Sequence, residues 1–436
     1  MKKVLIITYY WPPAGGPGVQ RVLKFAKYFP EFGWKPIILT VQNGEYPAYD
    51  ESLFEDIPPE CKVYRTPSIE PFSVYKKFTG MKKDEAIPVA TLTEKRIGWK
   101  KKIAHWIRLN LFIPDAKIGW IPFAIKAGKH IIENEKPDVV FSSSPPPTVH
   151  LIAKALARWS KIKWVADFRD PWTGIHYYEK QKRSKLTTDI DKKLEKSVLE
   201  NARKITTISS GYITHDFKKQ CCEEKYSVIY NGYDENDFST ISTEFNSDLF
   251  EICHLGSIGI ERNPKTFLSA VKKLIEDKSI AAQSIRFLLI GKIDRIIQKE
   301  IQALELADII QYINYLHHKQ ALEKTSSANA LLLLITNSPN NNIIVPGKTF
   351  EYLRLNKPII ALGPSKSEVS DILERYTHSG VIEYNDTDTI SKRLLSLYND
   401  WKERSSAEKK LHPSIDIFSR KKQSHQLADI FNTLVK

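Results

Sequence analysis

The sequence is poor in cysteine, with Cys61, Cys221, Cys222 and Cys253 the only four in 436 residues. They build neither a disulfide framework nor paired C-x-x-C ligand sets, so a reducing cytosol is the expected setting. The histidines lack H-E-x-x-H spacing, and His317 and His318 read as a strand-end loop. Asp189 with Asp191 and Asp386 with Asp388 lie in a lysine-rich helix and a turn, and two acids supply too few oxygens for a divalent metal. No apolar run approaches the roughly 20 residues of a membrane span. The apolar start at 2–8 lacks a small-residue cleavage site and reads as a first strand rather than a leader. There is no G-x-G-x-x-G fingerprint, which disfavours a nicotinamide-dependent oxidoreductase. Gly347, Lys348 and Thr349 imitate the tail of a P-loop, but the glycine required five positions earlier is Asn342.

Acidic residues are also in deficit, 51 against 65 Lys and Arg, for a formal net charge of +14. That balance favours an anionic partner, which on charge alone is a nucleic acid, an anionic membrane or a phosphorylated ligand. A non-catalytic nucleic-acid-binding protein is the main alternative to an enzyme, although no RNP, KH or helix-turn-helix signature accompanies the charge. Composition is otherwise that of a globular protein, and the length exceeds what one core covers, so two domains are expected.

Short apolar runs at 2–8, 36–40, 62–65, 138–142, 163–166, 204–208 and 226–230 read as strands, with helical spacings at 19–29, 123–134, 149–159 and 186–201. The turn signal Asn231-Gly232-Tyr233-Asp234 closes this half. The alternation then restarts, with strands at 250–255, 285–290, 310–316, 330–335, 359–362 and 380–384. Each half has a glycine loop after its first strand. The pattern predicts an α/β fold of two doubly wound Rossmann-like domains, 1–235 and 236–417, facing a central cleft.

Three stretches carry candidate chemistry. At 346–364 a Pro-Gly turn opens a short helix with Lys348 and Glu351 near its start. Such an end favours anions, so Lys348 suits a phosphate and Glu351 sugar hydroxyls, while an ordinary charged surface helix has the same spacing. Asp167, Arg169 and Asp170 end a strand, where an open sheet builds its ligand crevice and where internal ion pairs also form. The basic segment 95–112 sets Trp99, Ile103, Trp106, Ile107 and Leu111 along one helical side. That pattern suits an anionic membrane surface, or a helix packed on its own domain with a solvated basic side.

Read together, Tyr10-Trp11-Pro12-Pro13 with Gly15 and Gly16, Ser143-Ser144-Pro145-Pro146, Asp167 to Trp172, Asn231 to Asp234, His254-Leu255-Gly256-Ser257 and Pro346-Gly347-Lys348 with Glu351-Tyr352-Leu353 span nearly the whole chain. In that order they resemble the GT-B fold glycosyltransferases of the family 4 type, in particular bacterial surface-polysaccharide enzymes. The resemblance implies a retaining, metal-independent hexosyl or N-acetylhexosaminyl transfer from a UDP- or GDP-type nucleotide sugar. The acceptor would be lipid-linked or a nascent glycan, at the cytoplasmic face of a membrane, with no cofactor besides the co-substrate. It assigns Gly15, Gly16, Gly256, Ser257, Arg262, Lys348 and Glu351 to the donor, with Arg262 and Lys348 on its diphosphate and Glu351 on its ribose. Glu351 matches the second acid of a Glu-x7-Glu motif whose first acid would fall at Ile343, so Asn340, Asn341 and Asn342 are the candidates to hold the sugar. Asp170 and Arg169 stand where many relatives carry a catalytic histidine, and Asp167, Ser144 and Trp172 are expected at the acceptor. The last helix, 418–436, is expected to return to the first domain.

Overall fold

The computed structural model describes residues 1–46, 48–69, 99–174, 183–217, 223–239, 241, 248–314, 316–377, 379–403 and 412–435. Residues 95–98 of the basic segment, the side chains of Lys100, Lys101 and Lys102, and Cys221 and Cys222 lie outside that description. The chain divides into two compact units, Met1–Tyr230 with Arg420–Lys436, and Asn231–Ser419.

In the first unit the order is β1 (Lys2–Ile7), α1 (Pro17–Tyr28), β2 (Trp34–Val41), β3 (Lys62–Thr66), α2 (Trp99–Leu111), α3 (Ile121–Glu135), β4 (Val139–Ser144), α4 (Thr148–Ser160), β5 (Lys163–Phe168), α5 (Lys185–Asn201), β6 (Lys204–Thr207) and β7 (Tyr226–Val228). The strands form one parallel sheet in the order β3-β2-β1-β4-β5-β6-β7. Near-continuous apolar runs such as Val4 to Ile7 are what a sheet covered on both faces demands, and these four are fully buried.

The second unit runs β8 (Phe250–Leu255), α6 (Lys265–Glu276), β9 (Ile285–Ile290), α7 (Arg295–Ala303), β10 (Ile310–Ile313), α8 (His318–Ser326), β11 (Ala330–Leu334), α9 (Lys348–Leu355), β12 (Ile359–Leu362), α10 (Glu368–Thr377), β13 (Val381–Ile382) and α11 (Thr387–Lys402). Its parallel sheet is ordered β10-β9-β8-β11-β12-β13. The terminal helix α12 (Arg420–Leu434) belongs to the first unit, where Phe431 packs against Phe29, Trp34 and Phe141.

Both sheets reverse direction of winding beside their first strand, at β1/β4 and at β8/β11. Ligand crevices of doubly wound sheets open at the carboxyl ends of such strand pairs.

Two strands outrun their sequence reading. β4 continues through Ser143 and Ser144, and β5 through Asp167 and Phe168, because the ladder sets Ser143 beside Asp167 and Asp167 beside Thr206. Polar residues that would suit loops are held in the sheet by one another.

Candidate functional site

In the second unit the site grows from the end of β8. Gly256 has φ +121, and a Cβ there would lie 3.1 Å from Nζ of Lys348, so only glycine leaves that ammonium its place. One helix turn separates Lys348 from Tyr352 on α9, which puts both on one face. Lys348 donates to the Leu255 carbonyl at 2.7 Å, and the Leu255 N–H donates to the Tyr352 hydroxyl at 2.9 Å. The helix therefore grips both sides of one residue. His254 uses Nδ1 toward the Leu332 carbonyl at 2.8 Å, which makes that nitrogen the donor and turns the Nε2 lone pair toward Lys348 Nζ, 3.3 Å away. Burial and the Lys348 charge hold His254 well below the ordinary imidazole range, so it is neutral.

Arg262, in the loop after β8, donates through Nε to Thr336 Oγ1 at 2.8 Å, beyond the end of β11. Its loop is fixed by the Asn337 N–H on the Glu261 carbonyl at 2.7 Å. Desolvation lowers the pKa of Arg262, and desolvation together with the Arg262 charge brings Lys348 down to about 7. Among the described residues neither cation forms an ion pair with a carboxylate. Two half-buried cations that repel each other at a switch point form a cradle an anion would relieve.

Glu351, also in the first turn of α9, lies 3.5 Å from His318 Nε2, which is 3.5 Å from Asp237 as well. Ser257 is exposed beside the cradle, and Asn341 and Ile343 lie in a single turn preceding α9.

In the first unit, Gly15 donates its N–H to the Ala48 carbonyl at 2.8 Å, and a Cβ would press on Tyr49 and Asp50 at 3.2–3.3 Å. Gly16, at φ +87, precedes α1, whose start has no side-chain cap. α1 begins with Pro17, which has no N–H to satisfy, and the Val19 N–H donates to the Gly16 carbonyl at 3.3 Å. Arg169 pairs with Asp170 at 3.2 Å, both half-buried at the end of β5.

Asp167, Ser144 and Trp172, expected at the acceptor, are buried within the first unit. Asp167 is fully buried and accepts four hydrogen bonds, from Arg21 Nη2 at 2.8 Å and Thr206 at 2.7 Å on one oxygen, and from Arg21 Nε at 3.0 Å and Ser143 at 2.6 Å on the other. Burial alone would raise its pKa, but the Arg21 charge and these bonds outweigh burial and lower it. Trp172 is buried with Nε1 on Asp191 at 2.7 Å, and buried Ser144 turns its hydroxyl inward. The sequence reading missed Arg21, whose signal was its place in the buried stripe of Phe25 and Tyr28; its guanidinium lies over the Phe25 ring at 4.9 Å. It gave no site role to His254, which it cites only within a motif, or to His318, which it reads as a loop residue, and it missed Thr336.

Residues 89–237 match the family model for Glycosyltransferase Family 4. The two sheets superpose on solved structures over essentially the whole chain. Sucrose-phosphate synthase from Thermosynechococcus elongatus aligns with a TM-score of 0.67 at 13% identity, covering 100% of this chain and 99% of that one. This is a GT-B fold. A glycosyltransferase from Rickettsia africae aligns with the GT-B chain at TM-score 0.61 and 15% identity, covering 100% and 99%. Anabaena HepE, solved in complex with UDP, gives TM-score 0.61 at 11% identity, covering 99% and 100%. Among curated proteins none matches the chain in sequence.

Proposed function

We propose that this protein is a retaining glycosyltransferase that moves a sugar from a nucleoside-diphosphate donor onto a lipid-linked or nascent glycan acceptor in surface-polysaccharide synthesis. The observation that carries the reading is the cation pair Lys348 and Arg262 at the β8/β11 switch point, on a fold shared with nucleotide-sugar enzymes and a first domain matched by the family 4 model.

In this reading Lys348 and Arg262 take the donor diphosphate and Glu351 takes the ribose hydroxyls. Gly256 and Ser257 give the phosphates close backbone approach, and Gly15 and Gly16 are further donor-binding candidates. As the acceptor hydroxyl attacks the anomeric carbon, the bond from that carbon to the phosphate oxygen breaks. The leaving diphosphate oxygen, on the same face, takes the acceptor proton. The two cations stabilise the charge that develops on that oxygen, so the step uses neither a side-chain nucleophile nor a metal. Asp170, steadied by Arg169, orients the acceptor hydroxyl.

The reading includes a cytosolic enzyme resting on the inner face of an anionic membrane. On α2, Ile103, Trp106 and Leu111 are exposed, and no acid occurs between positions 95 and 114. Among the described residues no helix is long and apolar enough to cross a membrane.

Thermal melting with UDP, GDP and NAD, beside salt-dependent DNA binding, tests the reading. Stabilisation by one diphosphate nucleotide is expected. Stabilisation by none, with tight DNA binding, would replace the enzyme with a nucleic-acid-binding protein. Turnover against a panel of nucleotide sugars then identifies the donor.

A further inference from the structure

The acceptor side of the first domain is left without a contact once Asp167, Ser144 and Trp172 are placed in its interior. What stands at the carboxyl edge of that sheet instead is a row of tyrosines. Tyr10 follows β1, and Tyr46 and Tyr49 lie in the segment after β2. The Tyr10 and Tyr46 ring centroids are 6.2 Å apart, and those of Tyr46 and Tyr49 are 5.6 Å apart. Tyr10 and Tyr46 are half-buried, and Tyr49 is 61% exposed.

The row is rigidly backed. Buried Tyr9 meets Tyr10 edge-on at 5.3 Å and Tyr46 at 6.1 Å, and is itself braced by Trp120 at 5.9 Å and Lys117 at 4.8 Å. The segment carrying Tyr46 and Tyr49 is stitched to the glycine loop by Gly15 N–H on Ala48 O, Asp50 N–H on Pro13 O at 2.9 Å, and a bridge between Ala14 and Tyr49. The Glu45 N–H donates to the Tyr9 hydroxyl at 3.3 Å. These bonds hold the backbone that carries the rings in place before any ligand arrives, which lowers the ordering cost of binding.

One end of the row adjoins the charged pair at β5. A Cβ on Gly18 would lie 3.1 Å from Arg169 Nη1 and 3.5 Å from the Tyr10 ring, so the absence of a side chain at 18 lets the two converge over the start of α1.

We propose that Tyr49 stacks a pyranose ring of the acceptor in a subsite walled by Tyr46, which meets it edge-on at 68°, and by Tyr10, tilted 54° from Tyr46, presenting the sugar to Asp170; this rests on the glycosyltransferase reading above. A pyranose has a face of polarised C–H groups and a polar rim. The negative face of the exposed Tyr49 ring matches the former, and Arg169 and Asp170 match the latter. A lipid chain would instead call for an apolar channel free of the Arg169 and Asp170 charges.

Saturation-transfer NMR with methyl glucopyranosides, methyl N-acetylglucosaminides and chitobiose, on the full chain with UDP present, tests it. At least one sugar is expected to receive saturation on its ring C–H protons, reduced fivefold or more in Tyr49→Ala and retained in Tyr49→Phe. UDP affinity is expected to stay within twofold in both, with circular dichroism unchanged, since Tyr49 is mostly exposed. Undiminished transfer in Tyr49→Ala, equal loss in Tyr49→Phe, or no transfer in the wild type to any sugar of the panel would each overturn the proposal. So would loss of binding to phosphatidylglycerol vesicles with sugar signals intact, which makes the ring a membrane contact. Failure of the wild type to bind UDP or GDP at all is a different result, and tells against the glycosyltransferase reading itself.

Discussion

Nζ of Lys348 lies 3.3 Å from Nε2 of His254, a nitrogen that carries no proton because the ring donates through Nδ1 to the Leu332 carbonyl. The neutral ring steers the ammonium without neutralising it. With a pKa of about 7 in the free protein, Lys348 is charged only in part near neutrality, and a bound diphosphate raises that pKa. Binding therefore takes up a proton above pH 7. The UDP affinity of the wild type should fall as pH rises from 7 to 9, by at most tenfold per unit, and Lys348→Met should bind more weakly with a flat profile. Calorimetric titration at three pH values checks this; a pH-independent wild-type affinity would remove Lys348 from the diphosphate.

Gly256 guards the same ammonium from the strand side. At φ +121 an alanine is strained, which costs more than about 1 kcal/mol. The added Cβ also meets Lys348 Nζ at 3.1 Å. Gly256→Ala should lower the urea midpoint and weaken UDP binding at least tenfold. Unchanged values for both would mean that the loop relaxes and that the cation sits elsewhere when loaded.

Much of this fold is written in the chain because a parallel strand covered on both faces is a run of apolar residues, and Leu331, Leu332, Leu333 and Leu334 or Ile359, Ile360, Ala361 and Leu362 are legible as such. Lys348, Glu351 and Arg262 stand out as candidates for a related reason, since loops after strands and helix starts are local features. The burial of Asp167 is not legible, because its partners Ser143 and Thr206 become neighbours only through strand register. Arg21 hid in a helix whose apolar spacing gives no hint that a carboxylate waits opposite it. The tyrosine row escaped notice because Tyr10 and Tyr46 come together only when the segments after β1 and β2 are stitched side by side.

The Arg21–Asp167 pair offers a clean test of that burial. Both side chains are fully shielded, and Arg21 Nη1 also donates to the Tyr230 carbonyl at 2.9 Å. Removing one partner strands a charge in the interior, which costs about 3–5 kcal/mol. Asp167→Ala should be destabilised by that amount in urea denaturation, while Arg21→Met with Asp167→Leu should recover at least half of it. A loss below about 1 kcal/mol in Asp167→Ala would show that water reaches the pair.

Glu195 on α5 should make stability depend on pH with a defined sign. Its carboxylate is buried and accepts from the Thr173 N–H at 3.2 Å and from the Thr173 hydroxyl. Burial pushes its pKa from 4.5 up to about 7, with Asp216 and Asp191 adding to the rise and the Thr173 bonds opposing it. Because the folded value is raised, the contribution is fully present below the unfolded pKa of 4.5 and is lost as pH climbs through 7. The difference amounts to about 3 kcal/mol between the two limits. Denaturation free energies measured at pH 5 and pH 8 should therefore drop further in the wild type than in Glu195→Gln, by about 2–3 kcal/mol. Equal drops in the two proteins would show that Glu195 is ionised throughout, and that the Thr173 bonds outweigh its burial.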